Sequence, residues 1–366
     1  MTIEFRKVWA GPLTQFCQRV FEKLGVPSQD ALATTEVLVL ADLRGIDSHG
    51  VARLRRYYTG LKNGVMVPRP NLRVVRETPV TALIDGGAAL GQVAGKRGME
   101  MAIKKALKNG LGFVSVGNSN HYGIAGYYSL MALKHDLIGI SLTNSDAYVV
   151  PTFGKEVMLG TNPISVAIPT LKERPWVLDM STAVATLGKV EVYNRMGKKL
   201  PHGWATDDKG LSCDDPGRVL SNIRSKTGGG LLPLGGEGEE LGGHKGYGLD
   251  ILIDILSGVL SGSGNTNLLY PKTPEGKPLP SLVGHFFGAM RVDFFRPLED
   301  FKRDMDDMIR RLRNSNKAEG QDRIYIHGEK EYGLEEKYRK EGIPLYYKVY
   351  EDLKAIGDEV GVPFNL

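Results

Sequence analysis

Two short segments of the chain carry residue types that could move a proton and hold an anion. The first is Asp47-Ser48-His49-Gly50-Val51-Ala52-Arg53-Leu54-Arg55-Arg56-Tyr57. If Asp47 or Ser48 caps a helix, then His49, Arg53, Arg56 and Tyr57 fall at i, i+4, i+7 and i+8 and share one face. Guanidinium binds carboxylate through paired hydrogen bonds and imidazole titrates near neutrality, so this face suits a small carboxylate-bearing substrate. Spacing alone equally allows a solvated helix face with a capping serine. A Ser-His-Asp triad is a poorer reading, because three consecutive residues rarely converge into that geometry.

The second segment is Gly117-Asn118-Ser119-Asn120-His121-Tyr122-Gly123, between the end of an expected strand and the start of an expected helix. A helix N-terminus offers free N–H groups and a positive potential, which would hold His121 neutral and ready to accept a proton from a hydroxyl group. A loop histidine used only as a hydrogen-bond partner is the competing reading. Three more stretches, Gly160-Thr161-Asn162-Pro163, Leu178-Asp179-Met180-Ser181-Thr182 and Gly242-Gly243-His244-Lys245-Gly246-Tyr247-Gly248, put small polar residues and backbone amides at element boundaries. Phosphate or a nicotinamide amide could bind at such places, although each stretch alone reads as well as a turn. The chain has no GxGxxG after a strand, no GxxxxGK[ST] and no HExxH, which argues against a Rossmann fingerprint, a P-loop and a metal hydrolase. No metal site is expected.

The elements that must position these residues follow from periodicity. Leu13 to Leu43 repeats its apolar positions every three or four residues around a Gly25-Val26-Pro27-Ser28 break, which predicts two helices. Strands are expected within Leu72 to Asp85, then a helix over Val93–Asn109, a short strand at Phe113–Val116, a helix over Ile124–His135 and a strand at Leu137–Thr143. Short strands at Ser165–Pro169 and Trp176–Asp179 precede a glycine-rich stretch at 228–248 and a helix over Tyr247–Ser261. A strand near His285–Val292, an amphipathic helix over Leu298–Arg313 and a helical end broken at Gly342-Ile343-Pro344 complete an α/β pattern.

Composition narrows the classes. The 366 residues are 42% hydrophobic and 24% charged, enough for two domains with real cores. The balance of 47 basic and 42 acidic residues, with its basic clusters short and mixed, implies no nucleic-acid partner. Two distant cysteines, Cys17 and Cys213, offer neither a disulfide framework nor a thiolate zinc site and fit a reducing, cytoplasmic compartment. The opening residues lack the apolar core of a secretory signal, and Leu249–Leu260, the most apolar stretch, is half the length a bilayer needs, so no membrane partner is expected either.

Together the motifs resemble the malate/L-lactate dehydrogenase family that lacks a Rossmann fold and also includes sulfolactate, ureidoglycolate and Δ1-piperideine-2-carboxylate oxidoreductases. The likeness runs from Ala41–Tyr58 through Asn118–Ser129, Gly160–Thr170, Leu178–Val184, Pro201–Leu211 and Leu231–Ser263 to Ile324–Tyr332, nearly the whole chain in family order. It implies hydride transfer between NAD, or NADP, and a small 2-hydroxy or 2-oxo acid. Malate is the first expectation because Arg56 could take its second carboxylate; lactate, sulfolactate and a cyclic imine carboxylate are alternatives, and a non-catalytic nucleotide-binding protein is a more distant one. By resemblance His121 is the acid–base residue, Ser48 and His49 lie beside the nicotinamide, and Arg53 clamps the substrate carboxylate near Tyr57. Resemblance assigns the coenzyme to Asn120, Gly123, Thr161, Asn162, Pro163, Asp179, Met180, Ser181, Lys245 and the His327-Gly328-Glu329 turn, where Pro-Gly-Glu is the commoner form. The implied fold is a sulfolactate-dehydrogenase-like coenzyme domain (residues 121–295) on a largely antiparallel sheet, plus a mixed substrate and dimerisation domain from both chain ends (1–120 with 296–366). A homodimer or larger homo-oligomer is implied as well.

Overall fold

The computed structural model describes residues 4–366; Met1–Ile3, which open the first expected domain and the tested leader stretch, lie outside them. The chain begins with β1 (Phe5–Val8), α1 (Ala10–Lys23) and α2 (Ser28–Leu43). In α1 the three- and four-residue spacing buries Leu13, Phe16, Cys17, Val20 and Phe21 on one face. Nearly every side of α2 is covered, because it lies between two cores: Leu38, Val39 and Leu43 face one, Val37 and Ala41 the other. Two 3-10 turns (Asp47–His49 and Val51–Arg53) lead into α3 (Leu54–Lys62).

One seven-stranded sheet organises the middle of the molecule. Its members are β2 (Arg73–Glu77), β3 (Thr81–Asp85), β4 (Leu111–Ser119), β5 (Leu137–Thr143), β6 (Ile164–Ile168), β7 (Trp176–Met180) and β8 (Val283–Arg291), with α4 (Gly91–Asn109) between β3 and β4 and α5 (Ala125–Leu133) between β4 and β5. The order is β2-β3-β4-β8-β5-β6-β7, and only β3 and β4 run parallel. The largely antiparallel sheet matches expectation, and strands from both sides of residue 120 share it. β4 is nine residues long rather than four, because pairing with β8 extends it past Val116 through a register shift between Val116 and Ser119.

After β7 come α6 (Leu187–Arg195), α7 (Pro216–Ser225) and α8 (Gly243–Asp254), which continues into a π turn at Ile255–Val259. Helix α8 starts four residues earlier than expected. The left-handed Gly242 (φ +84°) turns the chain into it, a conformation that a glycine adopts without cost. Past β8 lie α9 (Leu298–Arg313), α10 (Glu329–Glu341), β9 (Ile343–Tyr346) and α11 (Tyr347–Val360). The chain ends meet: β1 pairs antiparallel with β9, and Leu353, Ile356 and Val362 pack in one core with Leu13, Phe16 and Val20. Among the described residues no helix is long and apolar enough to cross a membrane.

Candidate active site

His121 is aimed by the kinked end of β4. Beyond the register shift, Asn120 Nδ2 donates to Ala88 O (3.2 Å) and Ala89 O (2.8 Å), tying the loop to the approach of α4. Gly91, at the start of α4, makes the contact feasible: a Cβ there would lie 2.1 Å from Asn120 O and 2.4 Å from His121 O. Behind the loop Tyr122 stacks on His285 and on Tyr128, each at 4.6 Å between ring centroids. His285 uses both ring nitrogens inside the core, with Thr143 Oγ1 at 2.7 Å and Ser119 Oγ at 2.9 Å, so it braces the loop.

The Asp47–Tyr57 segment differs from the single capped helix that spacing suggests. No side chain caps either 3-10 turn or α3; Ser48 Oγ lies 2.8 Å from His49 Nδ1, and Arg53 Nε donates to Ser48 O at 2.6 Å. The break has a physical cause in buried Asp42 of α2, which accepts the Val51 N–H at 2.8 Å and would lie 1.8 Å from a Cβ at Gly50. Only glycine lets the backbone come so close. From α3 the fully buried Tyr57 sets its hydroxyl 2.7 Å from His121 Nδ1, and Arg56 donates to Tyr270 Oη at 2.9 Å. The His49 and His121 rings stack at 5.4 Å.

Electrostatics favour the neutral form of both histidines. Burial and then the Arg56 guanidinium hold His121 well below its ordinary value, with His49 and Arg53 adding to the effect. Burial, Arg53 and Arg56 lower His49 to about 4. Neutrality of His121 agrees with expectation, but the cause differs: α5 begins four residues later, at Ala125, and the dominant influences are burial and nearby cations. Burial pushes the Tyr57 phenol up to about 12, so it remains a hydrogen-bonding hydroxyl at neutral pH.

A cleft of about 480 Å³ opens from these histidines. Of the residues singled out from sequence, Ser48, His49, His121, Gly123, Thr161, Pro163, Asp179, Met180, Ser181, His327 and Gly328 line it. Tyr57 and Arg56 reach it through their partners His121 and Tyr270. Asn120 and Asn162 are buried behind the wall, where Asn162 Oδ1 accepts the Ser145 N–H at 2.9 Å. Arg53 is exposed and held to Ser48 O, and Lys245 is exposed on the first turn of α8 outside the lining. Glu329 turns to Arg323 and to the Ile326 N–H at 3.1 Å, which makes it a brace for the start of α10. Sequence reading missed Tyr270, Tyr325 and Lys330, all in the lining. Tyr270 sits in the 262–282 stretch, which has no periodicity to mark it.

A pair of stacked histidines whose neutral form is favoured, beside the Arg56 guanidinium, thus lines one cleft of an α/β fold. The chain belongs to the malate/L-lactate dehydrogenase family, whose model matches residues 10–354. It is 49% identical over 350 residues to a malate dehydrogenase of Pyrococcus abyssi, covering 96% of this chain and 94% of that one. Its identity to an L-sulfolactate dehydrogenase of Methanocaldococcus jannaschii is 41% over 343 residues, with 94% of each chain covered. The solved malate dehydrogenase of Pyrococcus horikoshii OT3 superposes with a TM-score of 0.89 at 44% identity, over 100% of this chain and 99% of that one.

The family implies a nicotinamide coenzyme, and the donor set of the cleft fits one. Its wall contains the start of α5, where Asp179 accepts the Gly126 N–H at 2.9 Å and the other first-turn amides remain, together with Thr143–Ser145, Thr161, Met180 and Ser181 at strand ends and loops. A helix N-terminus favours a phosphate, and loop amides and hydroxyl groups can serve ribose and carboxamide.

Proposed function

We propose that this protein is a nicotinamide-dependent 2-hydroxy acid dehydrogenase that interconverts malate and oxaloacetate. The observation that carries the reading is the convergence of Tyr57, His121, His49 and the Arg56–Tyr270 pair on one end of the cleft. When bound, NAD or NADP supplies the hydride acceptor for the C2 hydrogen of the alcohol, or the hydride donor for the oxo acid. Its wall would be Gly123, Thr161, Pro163, Asp179, Met180, Ser181 and the His327-Gly328 turn.

In the oxidation direction His121 takes the proton of the C2 hydroxyl as C2–H leaves as hydride; in reduction the same ring returns a proton to the new alkoxide. The ring is prepared for both. With Nδ1 engaged by the Tyr57 hydroxyl at 2.7 Å, the ring works through Nε2: Nδ1 keeps its hydrogen and donates it to Tyr57 in both the neutral and the protonated ring, which fixes the tautomer whose Nε2 is free to accept. Ser48 fixes the orientation of His49, whose stacked ring closes the site over His121. Arg53 offers its cation to the C1 carboxylate, and Arg56 with Tyr270 takes the C4 carboxylate. A sulfonate at that position would satisfy the same guanidinium, which keeps sulfolactate as a second reading; lactate has no group there.

A second copy of the chain would cover the apolar face of α8 and its π turn, where Leu252, Ile255, Val259 and Leu260 are each about half exposed. The two cysteines are free thiols and buried, in keeping with a reducing cytoplasm. The deciding experiment follows NADH and NADPH absorbance with oxaloacetate, pyruvate and 3-sulfopyruvate. Fastest turnover with oxaloacetate is expected. Preference for pyruvate would remove the role given to Arg56, and absence of coenzyme binding would overturn the whole reading.

A further inference from the structure

Tyr325 and Lys330 line both the cleft and a neighbouring open recess of about 570 Å³ that His121 does not line. The recess presents five cations, Lys172, Arg174, Arg313, Arg323 and Lys330, against two carboxylates. Both carboxylates are engaged: Glu173 with Arg313 at 2.9 Å, and Glu329 with Arg323. Arg174 is held by Glu336 at 2.8 Å. Lys172 and Lys330 have no carboxylate within salt-bridge distance among the described residues, and Lys330 Nζ lies over the Tyr325 ring at 4.4 Å, beside Arg323 at 5.1 Å on the same ring. An excess of positive charge thus converges on an aromatic platform continuous with the cleft.

We propose that this recess is a phosphate subsite that receives the 2′-phosphate of NADP, with Lys330 and Lys172 as its free cations and Tyr325 as the platform beside them. The proposal rests on the reading above that the cleft holds a nicotinamide dinucleotide with its reactive ring at His121. The chemistry follows from charge: a ribose 2′-phosphate carries about two negative charges at neutral pH and gains most from cations that no carboxylate has neutralised. A 2′-hydroxyl would instead seek a carboxylate acceptor, and the cleft offers Asp179 and Glu331. Asp179 already accepts the Gly126 N–H at 2.9 Å, so Glu331 is the one competing acid without such a bond. Both lysines are exposed, and their replacement removes charge without disturbing a core.

The test compares KM for NADPH and NADH in the intact enzyme and in the Lys330→Gln and Lys172→Gln variants. The parent is expected to favour NADPH, and each substitution is expected to raise the NADPH/NADH ratio of KM values about tenfold, as loss of one charge-assisted contact does. Inorganic phosphate should compete with NADPH more strongly than with NADH. A ratio that neither substitution moves, or a parent that favours NADH, overturns the subsite while leaving the dinucleotide reading intact. If neither coenzyme binds the parent, as judged by quenching of protein fluorescence, the broader reading fails instead.

Discussion

The two ends of the cleft are built from different materials. At the reacting end every functional group is tethered: His121 to Tyr57, His49 to Ser48 and Arg56 to Tyr270, each between 2.7 and 2.9 Å. Buried aromatic rings stand behind them. At the far end Lys330 and Arg323 share one half-exposed tyrosine, Lys172 is exposed without a carboxylate partner among the described residues, and Arg174 and Arg313 are held by ion pairs with Glu336 and Glu173. A tethered group pays its ordering entropy during folding and meets the substrate in place, whereas a long exposed side chain pays it on binding. Changes at the reacting end should therefore alter turnover, and changes at the far end should alter the choice and affinity of the coenzyme.

The strongest challenge to this contrast is His121→Asn. Loss of the proton acceptor should lower kcat by about 10²–10⁴-fold while coenzyme affinity, measured by fluorescence titration, stays within a few fold. An equal loss in both would mean that the two ends are not separable. The pH profile sharpens the point. Because burial and Arg56 hold the imidazole well below its ordinary value, the acid limb of kcat/KM for malate oxidation should lie clearly below pH 6.5. A limb at or above 6.5 would assign the base elsewhere.

Arg56→Ala is the next largest expected effect. It removes a charge-assisted contact to the second carboxylate and leaves Tyr270 without its donor, so kcat/KM for malate should fall about 10–100-fold. Lactate turnover should fall much less. Equal losses for both acids would show that Arg56 supports the fold of the site and not the substrate's distal group.

The same contrast explains what the sequence disclosed. The residues of the reacting end lie in two compact segments, 47–57 and 117–123, where histidine, arginine and tyrosine stand close enough in sequence for their chemistry to be read. That the two segments meet in one site came only from the family resemblance, and the local geometry that brings them together was not legible. Helical spacing put His49 and Arg53 on the face of Arg56 and Tyr57, whereas Asp42, nine residues before Val51, breaks that helix into 3-10 turns through one hydrogen bond. Long-range capture of a backbone N–H leaves no periodic trace. The far end was harder still, since Lys172 and Arg174 follow β6 while Arg323, Tyr325 and Lys330 precede or begin α10, about 150 residues on. Only the sheet edge at β7, where Val177 N–H donates to His327 O at 3.2 Å, brings them together. The family order of motifs implied a coenzyme there without showing which side chains would meet it.

Between the two ends the coenzyme wall rests on α8, and a smaller effect is expected from it. Asp250 and Asp254 are four residues apart on its buried side but have different surroundings. Asp254 accepts Asn144 Nδ2 at 2.8 Å and Thr266 N–H at 2.7 Å, whereas the Asp250 oxygens form no well-aligned hydrogen bond and have only the Asn162 and Thr182 side chains nearby to favour their charge. Burial pushes the Asp250 carboxyl up to about 8, with the charge of Asp254 adding to the shift. An unfolded aspartate titrates near 3.9, so the folded state binds the extra proton, and the stability tied to Asp250 is present below about pH 4 and lost as pH rises through about 8. Asp250→Asn removes that loss. Its gain in Tm should grow between pH 5 and pH 9 and reach roughly 2–4 °C for each kcal/mol recovered. A gain that is the same at pH 5 and pH 9 would mean that Asp250 is already ionised in the fold, and that the wall beneath Asn162 and Thr182 tolerates a buried charge.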